Sequence, residues 1–289
     1  MATYGTKMPR ANWEIVGWMP MPTPPLAEQS AIAAYLDEKC GAIDKIIEEA
    51  KATIEEYKAW KASVIFEAVT KGLDPNAEMK DSGVEWIGLI PKHWEKRKIK
   101  KVCKLKTGTT PDTKRLEWFD GDVKWYTPAD FSELYYLAES KRSLSKQAIK
   151  DMVATVIPQD SILFIGIGAT AGKVGYSSYE CSINQQITAL IPTENIYSKY
   201  LMFFLISISK TVRELANYTT LPIINNTTLG IFDALLPPHP EQAAIADYLD
   251  KQCAAIDGII VEKQALIDEL ETYKKSLIFE TVTGKRRVC

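Results

Sequence analysis

The stretch "EQSAIAAYLDEKCGAIDKII" near the start of the chain returns near its end as "EQAAIADYLDKQCAAIDGII". Laid over each other without a gap, Pro24–Thr70 and Pro237–Thr283 agree at 27 of 47 positions. That agreement marks a duplication, spaced far too widely for a solenoid. Each copy opens on Pro-Pro and a Glu-Gln pair, Glu28-Gln29 or Glu241-Gln242. Each then runs with no breaker but Gly41 or Gly258 until Gly72 or Gly284. Proline before and glycine after punctuate a helix. Roughly 44 residues at about 1.5 Å each predict a helix about 65 Å long, far beyond the usual globular length.

A helix of that length needs something to cover its apolar side. In the first copy Leu36, Ile43, Ala50, Tyr57 and Val64 recur every seven residues. Ile46 and Trp60 sit three further on, and Cys40, Ile47 and Ile54 four further on. The second copy repeats the stripe with Leu249, Ile256, Leu270 and Leu277, flanked by Ile259, Ile260, Leu266, Ile267 and Tyr273. This predicts an a/d/e heptad face. Two such helices can hide each other's stripe, so an antiparallel coiled coil is expected. Its seam is placed at Leu36, Ile43, Ile47, Ile54 and Tyr57 against Leu249, Ile256, Ile260, Ile267 and Leu270. Lys39 and Lys263 fall on or near that seam and predict local loosening. The competing reading is two unrelated surface helices on one globule.

The same register extends backwards. "TKMPRANWEIVG" (6–17) falls over "TTLPIINNTTLG" (219–230), sharing Thr, Pro, Asn and Gly at matching places. The expected order is therefore 1–25 as the end of a first globular unit, helix 26–71, a whole unit 72–238, helix 239–284 and a basic tail 285–289. The unit 72–238 reads as mixed α/β (α+β). "VKWYTPADF", "SILFIGI", "KVGYSSY" and "INQQITALIP" have the β-branched and aromatic content of strands, and "SKYLMFFLISISKTVRELA" reads as a helix with Ser198 at its cap.

Composition narrows the class of partner. The 289 residues carry a formal charge of -2, so bulk charge announces neither nucleic acid nor membrane. That charge is uneven: 72–238 is +2, and each flanking part is -2. Lys92–Lys106 holds eight basic residues against one acidic, Glu95. Such a strip suits a phosphate backbone or a lysine-guarded strand edge, and both readings stand. Five scattered cysteines without a CxxC pair, and no leader peptide, fit reduced thiols and a cytoplasmic setting. No apolar run approaches the roughly 18 residues a membrane span needs.

Catalytic motifs fail on inspection. Gly168-x3-Gly172-Lys173 is one residue short of a phosphate loop, and Val174 stands where magnesium needs Ser or Thr. A strand–turn–strand with Gly172-Lys173 at its tip is expected instead. His93 and His239 lack ligand partners at zinc spacing. There is no GxSxG elbow and no Asp/Asn-Pro-Pro-aromatic tetrapeptide. The expectation is a non-enzyme with no metal and no cofactor.

The whole pattern resembles the specificity (S) subunit of type I restriction-modification enzymes. "PPLAEQSAIAAYLDEKCGAID" and "PPHPEQAAIADYLDKQCAAID" carry the resemblance, with "SVIFEAVTKGLDP" and "SLIFETVTGKRRV" at the helix ends. "DSGVEWIGLIPKHWEKRKIKKVCKLKTGTTP", "FDGDVKWYTPADF", "ILFIGIGATAGKVGY" and "INQQITALIP" follow in the family's order. One complete target-recognition domain is present where the family has two, so the chain looks like a half-length form.

The resemblance implies DNA recognition without catalysis. It also implies methyltransferase (M) subunits docked on the helices and restriction (R) subunits joining that core; the apolar stripe and the missing half predict a homodimer through the helices. Phosphate contacts are expected from Lys173 and from Lys96, Arg97, Lys98, Lys100, Lys101, Lys104 and Lys106. Base contacts are expected among Arg142, Asn184, Gln185, Gln186, Thr219, Thr220 and Asn225. On a strand, alternation would turn Gln185 away from Asn184 and Gln186. A coiled-coil adaptor that binds protein, or a stand-alone methyltransferase or nuclease that binds cofactor, are the alternatives.

Overall fold

The structure, a computed structural model, describes residues 3–4, 10–214 and 223–288. Asn12 shows the duplication at the level of single bonds. Its Oδ1 accepts from the backbone N–H groups of Glu14 and Ile15, capping helix α1 (Trp13–Gly17). At the matching place Asn225 caps α6 (Asn226–Gly230), accepting from Thr228 N at 2.9 Å. The long helices also start at matching residues: α2 is Leu26–Lys71 and α7 is His239–Val282.

The chain divides into two compact units, Met1–Lys58 with Asp257–Cys289, and Ala59–Ile256. In the first, strands β1 (Thr3–Tyr4) and β2 (Arg10–Ala11) pair antiparallel ahead of α1. Here α2 and α7 bury Ile43, Ile47, Ala50 and Ile54 with Ile267 and Leu277. Tyr35, Leu36, Ile260 and Leu270 pack at the margins. Lys274 Nζ donates to both carboxylate oxygens of Asp44 at 2.6 Å. Early residues of α2 thus face late residues of α7, so the pair is antiparallel.

Two expectations about the seam need correcting. The buried residues step by four, three and four, the two-column pattern of a two-helix seam. The third column stays out: Ile46 is 46% exposed, Leu266 43% and Tyr273 49%. Two helices have one contact line, and a column on its flank needs a further partner to be covered. Leu249, expected on the seam, is instead fully buried in the core of the other unit. Ile256 is buried too, outside the seam cluster, while Tyr57 is half-buried. Lys39 turns outward to Glu38 at 2.8 Å.

In the unit Ala59–Ile256 the end of α2 is followed by a hairpin, β3 (Met79–Asp81) and β4 (Leu89–Pro91). Strand β5 (Glu95–Lys98) follows and pairs with β15 (Asp233–Leu236). After α3 (Ile99–Val102) come β6 (Cys103–Thr107), β7 (Phe119–Tyr126), β8 (Tyr136–Leu137) and β9 (Arg142–Leu144). Helix α4 (Lys146–Lys150) leads to β10 (Val156–Ile157), β11 (Ser161–Ile165) and β12 (Val174–Ser177). Strands β13 (Cys181–Ile183) and β14 (Ile187–Pro192) precede α5 (Ser198–Glu214). Five strands form one sheet in the order β6-β14-β11-β12-β8, and four form another, β10-β13-β7-β9.

The apolar run "SILFI" is buried throughout because β11 has cover on both faces. Ile162 and Phe164 join Tyr200, Phe203, Phe204 and Ile208 of α5. Leu163 and Ile165 point the other way, joining Tyr126, Ile157, Cys181 and Ile183. Each such aromatic or branched side chain contributes about 1.5–3 kcal/mol by leaving water. Ile65, Ala68 and Val69 of α2 and Ile245, Ala246 and Cys253 of α7 complete the α5 side of the core.

The Glu-Gln pair at the start of α7 ties this helix down. Glu241 meets His93 Nε2 at 2.8 Å and accepts from Trp94 Nε1 at 3.0 Å. Buried Gln242 accepts from Tyr197 N at 2.8 Å and donates to the carbonyls of Asn195 and Pro237.

Candidate nucleic-acid interface

Four chain segments meet at one end of the five-stranded sheet. Gly108 N donates to Ile187 O, Thr109 N to Ile183 O, Gly166 N to Gln186 O and Ile224 N to Gly166 O, at 2.7–3.2 Å. Gly108 is required there, since a Cβ would stand 2.1 Å from the Ile183 carbonyl oxygen. Polar side chains fill the junction. Asn226 accepts from Thr188 Oγ1 at 2.7 Å and donates to Thr107 Oγ1 at 3.0 Å. Asn184 donates to Gln186 Oε1 at 3.0 Å and accepts from Gln186 N at 3.1 Å. The Thr110 hydroxyl donates to Gln185 Oε1, which leaves the Gln185 amide nitrogen without a protein acceptor among the described residues.

The amides expected to read bases therefore do come together, with one correction. "INQQITALIP" is not a single strand: β13 ends at Ile183, β14 starts at Ile187, and the amides form the turn between two sheets. The Asn184 carboxamide caps that turn in the Asx manner. Gln185 still parts from its neighbours, through the turn rather than through alternation. Asn225 spends its oxygen on the α6 cap. Thr219 and Thr220 lie outside the described residues. Thr107, Thr110 and Thr188 were missed, although "KTGTTP" after an apolar strand carries a turn signal.

Arg142 lies on β9, opposite Trp125, in the four-stranded sheet. Its guanidinium stands 4.3 Å from the Phe119 ring centroid and 5.3 Å from that of Trp125.

The basic strip is not one surface, because α3 breaks it between two sheets. Lys96 donates to Ser82 O, Arg97 pairs with Glu95 at 2.8 Å and Lys98 with Asp233 at 2.9 Å. Lys106 donates to Val156 O at 2.9 Å, and the Lys100 stem lies beside Gly230. Lys101 and Lys104 are exposed, with no carboxylate partner among the described residues. Lys173 closes the β11–β12 hairpin, whose turn contains Gly168 and Gly172 at positive φ, and meets Glu133 at 3.1 Å.

Burial pushes the Cys103 thiol up to about 12 and Cys181 up to about 11. Both are therefore neutral and unreactive near pH 7. Desolvation also raises the Tyr126 phenol to about 12. Among the described residues no group of three His, Cys, Asp or Glu side chains could hold a metal, and no helix is long and apolar enough to cross a membrane.

Sheets covered by a helix in one unit and paired long helices in the other give a mixed α+β architecture, which can be compared with known proteins. The model of the type I restriction modification DNA specificity domain matches residues 91–272, more than half of the chain, and the chain belongs to that family. The MjaIX specificity subunit of Methanocaldococcus jannaschii is 30% identical over 189 residues, covering 64% of this chain and 43% of the relative. The MjaVIII specificity subunit of the same organism is 26% identical, covering 99% of this chain and 66% of the relative. The chain thus spans less than two thirds of these relatives. Among solved structures, a chain from work on complex assembly and conformational transition of the type I R-M system superposes with a TM-score of 0.74 at 18% identity. It covers 96% of this chain and 65% of that one. The HsdS subunit from Thermoanaerobacter tengcongensis gives 0.54 at 18% identity, covering 98% and 65%. Both likenesses speak to the fold.

Proposed function

We propose that the chain acts as a specificity subunit without catalysis of its own, reading one half of a bipartite DNA target through 72–238. One observation carries this reading: the family match runs across the globular unit and into α7. The polar junction around Gln185 supplies donors and acceptors of the kind that read base edges. Lys101 and Lys104 supply cations for phosphates. Methyltransferase subunits dock on the helices in this reading, restriction subunits join that core, and the assembly works in the cytoplasm.

Self-association accompanies it. Ile46, Leu266 and Tyr273 leave an apolar column uncovered on the helix pair, and a second copy presents the same column in the isologous arrangement common to dimers. A protein-binding adaptor would share the helices but protect no DNA.

The test is a footprint and a salt series with the methyltransferase subunits present. Binding should fall steeply between low and moderate salt, and K101A with K104A should flatten the slope by about two. A salt-independent curve, or no protected DNA, rejects the reading. Sedimentation at micromolar concentration checks the dimer; monomer throughout rejects that part alone.

A further inference from the structure

Three cations stack on aromatic rings on and around the four-stranded sheet. Lys124 Nζ lies 4.5 Å from the Tyr179 ring, the Arg115 guanidinium 5.0 Å from that of Trp118, and Arg142 over Phe119 and Trp125. Two of the three also meet a carboxylate: Arg115 meets Glu117 at 3.7 Å and Lys124 meets Glu139 at 3.1 Å. Arg142 differs. Among the described residues it has no acidic partner, and its side-chain N–H groups have no acceptor.

The platform under Arg142 is shaped by a bulge in β7. A register shift between Phe119 and Val123 bulges β7. Asp120 takes φ 57 there, and at Gly121 a Cβ would stand 2.5 Å from Ser145 Cα. The two rings meet edge-on at 6.0 Å, and both are buried. A guanidinium held by ring faces keeps its plane without spending a donor. Across the sheet, Arg142 pairs with Trp125, and Trp125 with Ser182, two residues before Asn184. The free fork therefore belongs to the row of residues that leads into the amide turn.

We infer that Arg142 reads a guanine of the DNA target, donating two parallel hydrogen bonds to its O6 and N7. This is the pairing for which a planar, oriented fork is suited. The inference rests on the DNA-reading function above. Phosphate contacts need no fixed plane and are left to the exposed Lys101 and Lys104.

The experiment selects a randomised duplex pool with the full chain assembled with its methyltransferase subunits, comparing wild type, R142A and R142K. Wild type should enrich a motif containing guanine. R142A should lose at least tenfold preference at one guanine position and leave the other positions intact. R142K, which keeps a cation on the rings but lacks the fork, should fail at the same position. Thermal unfolding of both variants should match wild type, which separates a reading role from a structural one. An unchanged motif for R142A overturns this inference alone, as does an even loss of affinity across all sequences. A wild-type complex that enriches nothing overturns the DNA-reading function, and this inference with it.

Discussion

Gln29 and Gln242 occupy the same place in the two copies of the repeat, and each donates to the proline carbonyl five residues back, at 2.7 and 2.9 Å. Beyond that bond their situations part. Gln242 is 2% exposed and engages Tyr197 and Asn195 as well, while Gln29 is exposed. The neighbours follow suit. Ile245, Ala246 and Leu249 are fully buried, whereas Ile32 and Leu36 are half-buried and Ala33 is exposed. Equal sequence gives equal local bonding, but burial depends on what packs against the helix. The first copy keeps a face that the second has used, and Trp13 and Trp18, earlier in the chain, are 77% and 89% exposed.

Substitution at paired positions can break that comparison. Leu249→Ala should cost about 2–5 kcal/mol, the range for a cavity in a packed core, against about 1 kcal/mol or less for Leu36→Ala. Equal losses in chemical denaturation would mean that the first copy is as fully packed as the second. Next in size is the carboxylate pair. Glu241→Ala leaves Trp94 Nε1 without its acceptor and should cost about 1–3 kcal/mol. Glu28→Ala should stay within about 0.5 kcal/mol, and the same denaturation series decides it.

Alkaline titration sharpens the picture of the closed core. Cys103 and Cys181 hold their protons to about 12 and 11 when folded, while the unfolded thiols lose theirs near 9.0. Above that value the unfolded state binds fewer protons, so stability falls as pH rises. At pH 10 the cost should be about 1.4 kcal/mol for each thiol. Cys103→Ala should remove its share of the decline, visible as a shallower slope of stability against pH. The smallest effect is kinetic. Half-buried Cys40 should react with a thiol reagent well before its counterpart Cys253, which is 5% exposed. Matching labelling rates on the native chain would deny that the two sites differ.

Much of this was legible in the residues themselves. The punctuation by proline and glycine placed the starts of α2 and α7, because a cap is a local event. The seam was legible in two of its three columns, since a heptad pattern records apolarity and not the number of helices available to cover it. Leu249 was misplaced for the same reason: its spacing suits a seam and a domain core alike. The turn at Asn184–Gln186 was hidden between two apolar runs and is set by side-chain-to-backbone bonds that hydrophobic alternation does not register. The seat of Arg142 depends on a bulge that brings Phe119 and Trp125 together, and no spacing rule expresses it.

Gly108 has a consequence for how freely the segment after it can be substituted. The backbone leaves the sheet at a point where no side chain fits, so the departure of the following segment is fixed. Thr109, Thr110 and Asp112 through Glu117 then stand in solvent, where replacement costs little stability. Substitutions along that tip should therefore leave the scaffold beneath it undisturbed.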